Sequence, residues 1–211
     1  MIPRYQKILF IVLLVASLVM GGVLWRLRER AHQRLVAGQD SAPTRAPEVA
    51  PAEPATLLVA NDADNTLLAQ VQSLPLPADP GARARAVLGR LLDLYAAPDA
   101  AHPVPGGASS VAQVFLLPAV GDAGQSGSDA SGPELAVVNL TASFAAGHPS
   151  GLETETLTIL SICGTLHANL PRVAQVRFLV DGQPRATLAG HAGLTRAYLA
   201  AEAVPVEGPH P

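Results

Sequence analysis

The spacing of apolar positions changes along the chain, and each spacing predicts a different kind of segment. Residues 8–24, ILFIVLLVASLVMGGVL, are uncharged and almost wholly apolar. A spanning helix needs roughly 17–25 such residues, so residues 8–25 read as a transmembrane helix or signal anchor behind a short tail, residues 1–7. Small residues at Ala16, Ser17, Gly21 and Gly22 leave a cleaved signal peptide as the alternative. Periodicity then disappears. Residues 26–55 begin with Arg26, Arg28, Arg30 and Arg34 and run into a Pro/Ala-rich stretch that reads as a semi-rigid spacer.

From residue 56 the pattern becomes that of a folded domain, expected to extend to residue 200. TLLVAN (56–61) and LLAQVQSLPL (67–76) are short apolar or partly alternating runs that suit strands. DPGARARAVLGRLLDLY predicts a helix: Asp79 can cap, Pro80 suits the first turn, and Ala84, Val87, Leu88, Leu91 and Tyr95 recur at helical spacing. VAQVFLLP (111–118) and ELAVVNL (134–140) are β-branched, alternating strands, joined by a Gly/Ser/Asp-rich hairpin tip, residues 121–133, expected to be flexible.

PSGLETETLTILSICGTLHANLP predicts a second helix. Ser150 with Glu153 three residues on has the form of a capping box. Leu152, Thr156, Ile159, Cys163, Leu166 and Leu170 would line one face, with Pro171 closing it. Val176, Phe178 and Val180 then alternate. Asp181-Gly182 is a turn pair suited to positive φ, and Pro184 places the returning strand at a sheet edge. The expected fold class is α+β, an α/β sandwich. Its α-β-β-α-β core would pack two helices on one face of a small, mainly antiparallel sheet, with a C-terminal β-hairpin and a disordered tail, residues 201–211.

Charge and chemistry narrow this picture by exclusion. Residues 56–200 carry seven arginines, no lysine and eleven acids. With no basic stripe to neutralise phosphates, nucleic acid is not an expected partner. The single cysteine, Cys163, excludes an intrachain disulfide and a Cys-rich metal site, and no cofactor is expected. Phosphate-loop, nucleophile-elbow and HExxH motifs are absent. Glu153 and Glu155 diverge by about 200° on a helix and cannot act as one acid–base pair. His167 lies four residues after Cys163, a spacing better explained by a helix end than by a metal. The arginines after the apolar segment would, read literally, hold the domain in the cytoplasm.

The residues from roughly 56 to 200, most densely those from 134 to 194, resemble the GerMN domain family, named for sporulation and spore-germination proteins. The resemblance rests on Asn139, Leu140 and Phe144, then Glu155, Thr158, Leu160, Ser161, Thr165 and Leu166, then Val176, Leu179, Asp181, Gly182, Gly190 and His191. It implies an envelope domain outside the cytoplasmic membrane and no catalytic residues. The expectation is a single-pass membrane protein presenting a non-catalytic binding or assembly module in peptidoglycan or sporulation/germination-type envelope processes. An accessory regulator of a cell-wall amidase and a wall hydrolase are the rivals. Partners would be an envelope protein or peptidoglycan, the membrane through the N-terminal helix, and another copy of the chain. Phe144, His148, Glu155, Thr165 and His191 are the candidate binding surface.

Overall fold

The computed structural model describes residues 51–119 and 132–203, with Ser17, Met20, Gly21, Gly22 and Arg26 as isolated helical positions. The chain divides into two units between Glu48 and Val49, and the second holds the folded domain. Most of the expected span 8–25, the spacer before Pro51, most of the 121–133 tip and residues 204–211 lie outside the described residues. Among the described residues no helix is long and apolar enough to cross a membrane.

The domain is α+β with two sheets. Strands β1 (Ala52–Asn61) and β2 (Thr66–Pro75) form a long antiparallel hairpin. β1 starts inside the expected spacer, because Glu53 is held by the Arg83 guanidinium at 2.8 Å and Ala55 is fully buried. Helix α1 (Pro80–Tyr95) follows as its sequence predicts. The Asp79 carboxylate accepts from the Ala82 N–H at 2.7 Å, and the apolar stripe from Ala84 to Tyr95 is buried.

A second, four-stranded sheet has the order β3-β4-β5-β6, with β3 (Val111–Pro118), β4 (Glu134–Leu140), β5 (Val173–Val180) and β6 (Tyr198–Leu199). Its outer pairs are antiparallel, but β4 and β5 run parallel. The pairing is mainly antiparallel, as expected, but it is split over two sheets and this central pair is parallel. The connection from β4 to β5 is a helical crossover, α2 (Ala142–Gly147) and α3 (Leu152–Asn169), and a crossover returns the chain in the same direction. The C-terminal hairpin also differs. Asp181 and Gly182 do turn at positive φ (48° and 74°), but the chain then makes only the bridges Val180–Gln183 and Thr187–Gly193. The strand that returns beside β5 is β6, and the residues after it close in a short 3-10 turn, Ala200–Glu202, with Ala203 buried. The tail expected from residue 201 is therefore folded as far as Ala203.

Helix α3 is the centre of the domain. It is buried nearly all round rather than along one stripe: Leu152 is exposed, whereas Glu155, Thr158, Ser161 and Thr165 are fully buried. Those inward polar groups have work on the neighbouring elements. The outer edge of β1 would leave the N–H groups of Thr56, Leu58 and Ala60 unpaired. Asn169 Oδ1, Thr165 Oγ1 and Tyr95 Oη accept from them at 3.0, 2.9 and 2.9 Å, and the Asn169 amide donates back to the Thr56 carbonyl. Two helices thus supply side chains where a further strand would supply backbone, which satisfies the edge without extending the sheet. Gly164 permits the approach, since a Cβ there would lie 2.4 Å from Leu58 Cδ2 and 2.8 Å from Ala203 Cβ.

Candidate functional site

The polar residues of the domain converge at the N-terminal half of α3. Ser150 and Glu153 do not form the expected capping box; Gly151 is the capping position and no side chain caps it. Glu155 reaches back instead, and its Oε1 accepts the Gly151 N–H at 3.3 Å. Its Oε2 accepts the N–H groups of Ala189, His191 and Ala192 at 3.0, 3.0 and 2.8 Å, and the His191 ring donates from Nδ1 to Oε1 at 3.1 Å. Gly190, at φ 125°, gives the loop the left-handed turn that aims these N–H groups at one oxygen. Burial alone would raise the Glu155 pKa. The hydrogen bonds from Ala189, Ala192 and His191 outweigh it and hold the carboxyl at about 2.

A second polar chain starts in the β1–β2 turn. Asp62 Oδ1 meets His102 Nδ1 at 2.5 Å, His102 Nε2 meets Thr158 Oγ1 at 2.6 Å, and Thr158 Oγ1 meets His148 Nε2 at 2.8 Å. His148 Nδ1 donates to the Pro149 carbonyl at 2.7 Å. Desolvation lowers the His148 pKa and favours the neutral ring. Nearby, burial pushes the Tyr95 hydroxyl up to about 12, so it stays protonated while its oxygen accepts from Ala60.

Carboxylate, imidazole and hydroxyl stand here in the order of a nucleophilic triad, but Thr158 is fully buried between two histidines and offers its oxygen to no substrate. The set Ser150, His191 and Glu155 fails for a different reason. Serine and carboxylate both address Nδ1 of the imidazole, at 3.3 and 3.1 Å, so the ring cannot pass a proton from one to the other. Both groups are suited to tying loops to α3.

Of the five residues expected on a binding surface, Phe144, His148, Glu155 and Thr165 are buried and only His191 reaches solvent. They do not make a surface: Phe144 is a core ring against His148, and Thr165 serves the β1 edge. Cys163 is buried, as its apolar setting predicts, and burial raises its thiol pKa. His167 donates to the Val173 carbonyl at 2.9 Å and ties the end of α3 to β5. Asn139 accepts from the Gly182 N–H at 2.7 Å, and Thr141 caps α2. Sequence reasoning missed Asp62 and His102, whose partners lie 40 and 56 residues away, where no local spacing reports them.

The surface that is available lies on the opposite side of the four-stranded sheet. Val114, Val138, Val176 and Phe178 face the core, and the alternate positions face out. Register places Phe115, Val137 and Arg177 in one outward row and Leu117, Leu135, Gln175 and Leu199 in the next. Phe115, Leu117 and Leu199 are each nearly half exposed.

A family model described as Germane, "Sporulation and spore germination", matches residues 57–186. Among curated proteins no match is found. Among solved structures, the tandem GerMN domains of the sporulation protein GerM from Bacillus subtilis align at 14% identity and TM-score 0.37, over 68% of this chain and 44% of that one. A Clostridium perfringens protein described as a putative lipoprotein aligns at 17% identity and TM-score 0.33, over 75% of this chain and 95% of that one. This chain thus spans less than half the length of the GerM structure it matches.

Proposed function

Since the chain belongs to the Germane family of sporulation and spore-germination domains, we propose that it is a non-catalytic binding module of a sporulation- or germination-type envelope process, with the outward face of the four-stranded sheet as its contact surface. The observation that carries this reading is the exposure of Phe115, Leu117 and Leu199 on two adjacent outward rows, on which, among the described residues, Arg177 is the cation. Contiguous exposed apolar surface is a feature of interaction sites. A glycan would favour several aromatic platforms, and Phe115 is the only ring on these rows, so the chemistry fits a protein with an apolar strip and an acid opposite Arg177. In this reading residues 8–25 anchor the domain and residues 26–50 hold it off the membrane on the exported side.

Site-specific photocrosslinking in producing cells tests the reading. A photoreactive residue at 117 is expected to give a discrete protein adduct, and one at the exposed position 82 on α1 is not. Equal adducts at both positions, or none at 117, would count against it. Release of muropeptides by the purified full chain would replace the binding reading with an enzymatic one.

A further inference from the structure

The two edges of the β1–β2 hairpin are treated in opposite ways. On β1 the outward N–H groups belong to the even-numbered residues Thr56, Leu58 and Ala60, each met by a side chain. In the continuous register that pairs Ala52 with Pro75 and Asn61 with Thr66, the odd-numbered residues of β1 therefore bond to the even-numbered residues of β2. The outward backbone groups of β2 are then those of Leu67, Ala69, Val71 and Ser73, with Pro75 ending the row. Among the described residues no strand lies beyond β2. Ala69, Val71 and Ser73 are exposed, Val71 to 70%.

Open edges are normally blunted by charge, proline or a bulge. Over Thr66–Leu74 β2 has none of these: its residues are uncharged and its register with β1 is unbroken. An edge of this kind accepts an extended strand, because only a strand presents N–H and C=O groups at the matching repeat. We infer that β2 pairs antiparallel with β2 of a second copy of this chain, joining two hairpins into one four-stranded sheet about a two-fold axis at Gln70.

The register follows from the free groups. With Gln70 on the axis, Leu67 faces Ser73 of the other copy and Ala69 faces Val71. Every outward N–H then finds a carbonyl, and each of these pairs closes two hydrogen bonds. A shift that centres Val71 instead sets Leu67 against Pro75, which has no N–H to give. Charge agrees with a self-partner, since an uncharged strand meets an uncharged strand and no ion is desolvated. The contact is isologous and closes at two copies. It lies on a different sheet from the patch of Phe115 and Leu117, so it neither requires nor occupies that surface.

Light scattering and sedimentation of the full chain across a wide concentration range test the pairing. The expected result is a monomer–dimer equilibrium that Val71→Pro weakens by roughly tenfold or more, through a lost N–H and a blocked edge. Val71→Pro leaves the β1–β2 hydrogen bonds intact, because the Val71 N–H points outward, so its circular dichroism and Tm should stay near the parent values. Directly opposed residues of a non-hydrogen-bonded antiparallel pair lie about 4.5 Å apart at Cα, within disulfide range. Gln70→Cys should therefore form a disulfide-linked dimer under mild oxidation, and Gln72→Cys should not, with the buried Cys163 silent in both. A monomer at every concentration, a dimer unaffected by Val71→Pro, or equal crosslinking at positions 70 and 72 would overturn the inference.

Discussion

The interior around α3 and the outward face of the four-stranded sheet divide the domain's chemistry in an unexpected way. The interior holds groups usually associated with function, Glu155, His102, His148 and Thr158, hydrogen-bonded to one another, to backbone or to the exposed Asp62. The sheet face holds plain apolar side chains with little polar company. Accessibility inverts the usual assignment. A buried and fully satisfied polar network fixes where loops sit, whereas an exposed apolar row has no structural reason to face water.

The strongest way to break this contrast is to remove the carboxylate. Glu155→Ala should destabilise by about 3–5 kcal/mol, since it strips the acceptor from three backbone N–H groups and the His191 ring. Chemical denaturation measures this, and a loss under 1 kcal/mol would remove Glu155 from the structural side of the comparison. The same group sets an acid limit. Its folded pKa of about 2 lies below its unfolded value of 4.5, so the stabilisation, about 3 kcal/mol, is complete above pH 4.5 and drains away as pH falls toward 2. His148, kept neutral by burial, adds a separate acid penalty below its ordinary value of 6.5. Tm measured against pH should therefore decline from about pH 6 and fall more steeply below 4.5, with the Glu155→Gln profile converging on the parent toward pH 2.

Smaller effects sharpen the picture. Gly164→Ala should cost about 1–3 kcal/mol by forcing Leu58 and Ala203 away from α3. Thr165→Val should cost a similar amount, about 1–3 kcal/mol, by leaving the buried Leu58 N–H without its acceptor. At the other extreme, Phe115→Ser with Leu199→Ser should change folding stability by no more than about 0.5 kcal/mol for each side chain while removing the adduct formed from position 117 on the sheet face.

What the sequence made legible was local. β3 and β4 were readable because β-branched runs end at Pro118 or follow Pro133, and α1 because Asp79-Pro80 begins an apolar stripe of helical period. The Asp181-Gly182 turn was readable for the same reason: its conformational demand falls on two adjacent residues. α3 misled because a helix surrounded on all sides has no single apolar stripe. Its inward Glu155, Thr158 and Thr165 resemble a solvent face until their partners are known. Those partners lie far away in sequence, as with Thr165 and Leu58, 107 residues apart. The Gly190-His191 step was recognisable as a signature, but only the fold shows that it closes a loop onto Glu155.

The most direct test of the contrast places the photoreactive residue at 117 in a chain that also carries His191→Ala. This change removes the exposed imidazole bound to Glu155 while leaving the sheet face untouched. If the network is scaffold and the apolar face is the contact, the adduct persists at the parent yield per folded chain. Loss of the adduct with Tm unchanged would instead place His191 in the contact and contradict the division drawn between the two regions.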